Sequence, residues 1–261
     1  MLDTARLRRA LLLMFGCAAL TGAPRALAAD DATPRYAVLS AIGDQLTLVF
    51  FQRGVGSNID QNVRKEVPIK DTALDNFALL AVDDAIRQRH PKAATALMSS
   101  RDAALLKPRE QLLDSPAEAA QLLEPVKDVL QKTQATRLIL VSKARADARF
   151  AMREGYVGTG KVNGLGFYID QEMRVQLVES GKRDIGFIAP YAYLSVSLID
   201  VPTLSVIRRK LVTESTVVAT AEASGALRPW DAMTSQQKID AIERLIRTAI
   251  ERALPELLNA E

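Results

Sequence analysis

The sequence predicts a mixed α/β fold (α+β is the alternative), with one mixed β-sheet and three main helices covering it. Three observations predict it. Apolar, β-prone runs recur at residues 36–40, 137–144, 187–201 and 204–220. The stretches 72–89 and 234–258 instead carry apolar residues at helical spacing. The two kinds of segment are interleaved along the chain, the pattern of a sheet that buries a face under helices. With 261 residues, 48% hydrophobic and 25% charged, the chain has ample apolar surface for a core, which excludes a disordered or fibrous protein.

Taken in order, Tyr36–Ser40 and Leu46–Phe51 read as strands. Gly43-Asp44 between them is expected to make a tight turn, giving an amino-terminal hairpin. Val63–Ile69 is a third short strand. Thr72–Arg89 places Leu74, Phe77, Ala78, Ala81, Val82, Ala85 and Ile86 on one helical face, and Pro91 ends the helix. Ala93–Met98 is a short strand. Ser115-Pro116-Ala117-Glu118 combines a capping box with proline at the first helical position. The helix it opens runs to about Lys132, kinked or split at Pro125. Arg137–Ala144, Phe167–Leu177, Phe187–Val201 and Leu204–Thr220 are strands, with a turn at Pro202-Thr203. Thr234-Ser235-Gln236-Gln237 opens the last helix, whose seam is Ile239, Ile242, Ile246, Ala249, Ile250, Ala253 and Leu257.

The first 28 residues read as a secretory signal. Arg6, Arg8 and Arg9 precede the apolar run Ala10–Leu20, which is too short to span a bilayer. Ala26-Leu27-Ala28 predicts cleavage between Ala28 and Ala29. The domains are then the signal, 1–28, and a single α/β domain, 29–261, without a transmembrane helix. Arg8-Arg9 leaves twin-arginine export open beside the general route, and Cys17 after Gly16 leaves lipidation open. Four arginines and one aspartate in the leader account for the whole net charge of +3. Residues 29–261 are therefore neutral overall, and charge offers no argument for nucleic acid. Cys17 is the only cysteine, so a cleaved chain has no disulfide, thiol nucleophile or thiolate ligand. The core alone must hold it together, as a domain of that size can.

The order of elements resembles the α/β domain of envelope proteins of the TolB amino-terminal and CsgG type. Tyr36–Ser40 precedes a helix, Thr136–Ser142 follows one, Ser195–Asp200 and Leu204–Lys210 form a late hairpin, and a helix closes the chain. The added hairpin after Tyr36–Ser40, the long Gly/aromatic segment and the lack of Gly after Asp200 depart from that pattern. The resemblance implies an envelope adaptor and carries over no catalytic residue.

Chemistry is sparse. Gly155–Lys161 matches G-x-x-x-x-G-K, but Val162 replaces the magnesium-binding Ser or Thr, and the following residues read as loop and strand, not a helix. His90 is the single histidine and terminates a helix, so a multi-histidine metal site within one chain is ruled out. There is no G-x-S-x-G elbow. Asp83 is spaced to pair with Arg87 on a solvated face, while Asp170 and Glu172 share a strand face. Arg208-Arg209-Lys210 reads as a charged strand that discourages edge pairing. No catalytic, cofactor or metal residue is expected.

Gly155–Gly166 holds five glycines flanked by Tyr156, Phe167 and Tyr168. It is either a projecting hairpin that docks on a partner, a second copy or a membrane, or a loop whose aromatics pack beneath it. Tyr156, Lys161, Phe167 and Tyr168 are its candidate interaction residues. The expected function is that of an exported, periplasmic, non-enzymatic envelope protein, acting in assembly, as an adaptor or as a scaffold. It would have an envelope partner or self-associate, or else touch a membrane peripherally. The alternatives are a periplasmic small-molecule or glycan binding module, and a carboxylate-dependent hydrolase.

Overall fold

The structure is a computed structural model, and it describes residues 34–54, 60–70, 72–110, 116–152, 155–176, 183–220 and 228–259. The expected leader, with Cys17, Ala28 and Ala29, and the expected cap Ser115 lie outside the described residues.

The chain begins with β1 (Arg35–Ala41), β2 (Gln45–Phe50), β3 (Val63–Pro68), α1 (Ala73–Arg89), β4 (Ala94–Ser99) and α2 (Ala103–Leu106). Next come α3 (Pro116–Leu123), a 3-10 turn at Glu124–Val126, α4 (Lys127–Thr133) and β5 (Arg137–Lys143). Four short strands follow: β6 (Arg145–Asp147), β7 (Phe150–Met152), β8 (Gly155–Val157) and β9 (Lys161–Asn163). The chain continues with β10 (Leu165–Gln176), β11 (Arg183–Asp200), β12 (Ser205–Ser215) and β13 (Val218–Ala219). It closes with a 3-10 turn at Pro229–Ala232 and α5 (Ser235–Leu258).

β11 organises the sheet. β5 pairs with its second half and β10 with its first, both antiparallel, Lys143 opposite Leu194 and Leu165 opposite Ala192. β5 and β10 thus run in the same direction as one row, interrupted at residues 144–164. Three backbone bonds stitch the break: Ala144 N–H to Tyr193 O (2.9 Å), Gly164 N–H to Ala144 O (2.8 Å) and Tyr193 N–H to Gly164 O (2.7 Å).

β1 lies parallel to β5, and β2 lies parallel to β10. The first two strands therefore also form one interrupted row, and Gly43-Asp44 does not reverse the chain. This corrects the expected hairpin. The amino-terminal hairpin is instead β2 with β3, antiparallel, across the longer connection. The physical reason is that the turn residues only bend the chain, while the apolar faces of β1 and β2 gain more from β5 and β10 than from each other. On the far side of β11, β12 and β13 pair along its length, and a register shift at Leu198/Ile199 absorbs the twist.

Strand alternation sorts side chains onto two faces. Tyr36 and Val38 join Ile139, Val141, Leu194 and Val196 in a core under α1 and α5. Ala37, Leu39, Leu138 and Leu140 point the other way, against Leu122, Leu123 and Leu130 of α3 and α4. Burial on both sides explains why β1 and β5 are continuous apolar runs. The helices thus divide between faces, α1 and α5 on one, α3 and α4 on the other, rather than three covering one face. α5 opens at Thr234 as expected, and the structure adds a capping box there, the Thr234 hydroxyl accepting from Gln237 N–H while the Gln237 side chain accepts from Thr234 N–H. Pro125 sits in the 3-10 turn that splits α3 from α4.

A third cluster fills the rest of the second face. Tyr168, Phe187, Tyr191 and Tyr193 project from β10 and β11 and are covered by Phe150, Val157 and Val162 from the excursion between β5 and β10. Among the described residues, no helix is long and apolar enough to cross a membrane.

Candidate binding cleft

The excursion pairs with itself, β6 with β9 and β7 with β8, and lies back across the sheet. Its glycines answer local geometry. Gly160 has φ +72°, and a Cβ there would stand 2.5 Å from Asp60 Oδ1. Gly158 has φ +101°, and a Cβ would stand 2.7 Å from the Ala148 carbonyl. Both positions demand glycine because no side chain fits the conformation or the space.

A polar brace holds the Thr159-Gly160-Lys161 loop. Asn62 Nδ2 donates to Thr159 O (2.7 Å) and Arg64 Nη2 to Lys161 O (2.7 Å). Lys161 N–H donates to Asp60 Oδ2 (3.0 Å), and Asp60 also pairs with Arg64. Below the loop, Thr159 N–H donates to the Tyr168 hydroxyl (3.2 Å). On the other wall Glu110 bridges two cations, Oε1 to Arg145 Nε and Oε2 to Lys161 Nζ, each at 2.8 Å.

These walls enclose an open cleft of about 780 Å³ that also reaches Gln52, Gln61, Asp147 and Arg149. A smaller hollow of about 350 Å³ shares Phe51, Arg53, Gly158 and Thr159 with it and is bordered by Tyr156 and Met173. The Arg149 guanidinium lies 4.7 Å from the centre of the Tyr156 ring, which is 65% exposed.

Burial pushes the Asp60 carboxyl up, but hydrogen bonds from Lys161, Arg64 and Asn62 outweigh it and hold it below the usual carboxylate range. The Lys161 hydrogen bond chiefly lowers Glu110. Burial raises Tyr168, Tyr191 and Tyr193, so their hydroxyls stay protonated donors and acceptors.

The sequence-selected residues separate here. Lys161 is in the cleft wall and Tyr156 lines the smaller hollow beside it. Phe167 and Tyr168 are in the interior, 2% and 0% exposed, on opposite faces of β10. Phe167 packs edge-on against Trp230, and Tyr168 packs against Phe150 and Phe187. Lys161 opens β9 rather than a helix, so the G-x-x-x-x-G-K match is not followed by the helix amino end that binds phosphate.

Asp83 pairs with Arg87 (2.8 Å) and accepts from the Thr95 hydroxyl (2.6 Å). Asp170 is buried and accepts from the Glu172 and Met173 amides at a bulge, whereas Glu172 pairs with Arg53. His90 ends α1, its ring 5.9 Å from that of Tyr36. Arg208 and Lys210 donate to α5, at the carbonyls of Glu256 and Arg252. Asp60, Asn62, Arg64, Glu110, Arg145 and Arg149 escaped the sequence reading. Asp60 and Lys161 are 101 positions apart, and no local spacing marks such residues as neighbours.

No protein-family model matches the chain, and no curated protein matches it. Its likeness to solved structures is remote. A neuraminyllactose-binding hemagglutinin homolog from Helicobacter pylori is 7% identical over 84% of this chain and 78% of that one, with a TM-score of 0.36. A PelC dodecamer from Paraburkholderia phytofirmans is 8% identical over 85% of each chain, with a TM-score of 0.33. A hypothetical protein from Chlamydia trachomatis is 12% identical over 88% of this chain and 100% of that one, with a TM-score of 0.32. Likeness at this level decides nothing about function.

Proposed function

We propose that this is an exported, periplasmic envelope protein that works by binding, as an assembly, adaptor or scaffolding component, through the cleft between Asp60 and Lys161. One observation carries the reading. The cleft carboxylates Asp60 and Glu110 are tied to cations and amides and held ionised. A carboxyl that transfers protons near neutral pH needs its pKa raised, not lowered. Fixed, paired charges on glycine-shaped walls suit recognition. The volume of the cleft and the exposed ring of Tyr156 favour, as a second reading, a small-molecule or glycan binding module.

The test is to fractionate producing cells without detergent, weigh the mature chain, and cross-link through a photoreactive residue at position 156. The reading expects a chain starting at Ala29 outside the cytoplasm, with a discrete cross-linked species that Lys161→Glu abolishes. A full-length cytoplasmic chain would refute it, as would turnover lost on a carboxylate-to-amide change in the cleft.

A further inference from the structure

The geometry points to an acidic oligosaccharide, a chain of carboxylated pyranose units, as the ligand of this cleft. The inference rests on the proposed binding function and names its ligand class. Charge comes first. Among the described residues the cleft is lined by four cations, Arg53, Arg145, Arg149 and Lys161, against three carboxylates, Asp60, Glu110 and Asp147. The Asp60 charge is answered separately by Arg64, and Glu110 alone serves both Arg145 and Lys161. Arg53 is answered by Glu172 of the smaller hollow, so in the larger cleft Arg145, Arg149 and Lys161 face Glu110 and Asp147, which leaves one positive charge for a ligand although residues 29–261 are neutral overall.

The character of the walls comes second. Apart from Phe51 and Ala148 they offer amides, hydroxyls and charged groups, as with Gln52, Gln61 and Thr159. That surface suits many hydroxyls rather than an apolar side chain. Third is the platform. The Tyr156 ring, braced by Arg149 of the larger cleft, stands exposed in the wall of the smaller hollow, and a flat aromatic face stacks on the C–H face of a pyranose. Arg149 lies over one face of that ring and also lines the larger cleft, so its charge stands beside a sugar stacked on the other face. The two hollows, about 780 and 350 Å³, offer room for several linked units.

The test is calorimetric titration of the processed chain with hexagalacturonate, maltohexaose and hexaglutamate. Saturable binding of hexagalacturonate alone is expected, weakening as salt rises. Tyr156→Ala and Arg149→Gln should each raise its Kd about tenfold or more without shifting Tm, and Tyr156→Phe should retain binding. Failure of hexagalacturonate to saturate the protein overturns the inference. So does equal binding of hexaglutamate that survives Tyr156→Ala, which would mean charge alone is read. A chain that fails this titration yet is exported and cross-links through position 156 would leave the binding function standing and remove only the saccharide.

Discussion

Asp75, in the first turn of α1, has no exposed surface, and its Oδ1 accepts from the Ser40 hydroxyl (2.6 Å) and the amides of Ile42 and Gly43 (3.2 and 3.1 Å). Arg101 answers its other oxygen at 3.3 Å. One carboxylate thus satisfies the backbone where β1 and β2 part. Asp75→Ala leaves those donors buried and unpaired and should cost about 2–4 kcal/mol, read as a lower urea midpoint at unchanged slope. A loss under about 1 kcal/mol would mean that water replaces the carboxylate. Gly160→Ala forces a Cβ into Asp60 at positive φ and should cost about 1–3 kcal/mol, with ligand binding lost in the same variant.

At the scale of elements, the excursion between β5 and β10 does two jobs. Its inner side closes the aromatic cluster, where the Phe150 ring lies 5.0 Å from that of Tyr168 and 6.1 Å from that of Tyr191. Its outer side forms the cleft. Phe150→Ala should therefore destabilise by about 3–5 kcal/mol, measured by chemical denaturation. Deleting residues 158–164 removes the buried Val162 and the Gly164 stitch, so folding and binding should fail together. Such a deletion cannot separate docking from stability, whereas Tyr156→Ala can, because that ring is exposed.

At the scale of the molecule, the ionisable groups set a stability profile. Asp60, Asp83, Glu110 and Asp200 are all lowered in the folded state. Their stabilisation is present above the unfolded carboxylate values, about 4, and is lost as pH falls through the folded ones. Lys143 and Lys238 are lowered by burial, a penalty on the charged form that is relieved as pH rises. Folded lysine binds fewer protons than unfolded lysine on the alkaline side, so stability rises there toward about pH 10. Above that, the unfolded chain ionises tyrosines that the fold keeps protonated at positions 168, 191 and 193, and stability falls. Urea midpoints from about pH 2 to 11 check the profile, and Lys143→Met should flatten its alkaline rise.

The sequence by itself determined the mixed α/β class, the α1 seam, the α5 seam apart from Ile239, which is 45% exposed, the opening of α5 at Thr234 and the break at Pro125. These depend on contacts within a few residues, where periodicity, capping and proline chemistry act. It also pointed to the Gly/aromatic segment as unusual. Only the tertiary structure decided that Phe167 and Tyr168 face inward while Tyr156 stays at the surface. It likewise decided that Gly43-Asp44 bends one row of sheet without making a hairpin. Strand pairing and facing depend on which distant partner buries the most apolar surface, and that choice leaves no local mark. The cleft was hidden for the same reason, since Asp60, Glu110 and Lys161 become neighbours only when β11 aligns β5 with β10 and the excursion between them folds back over the sheet.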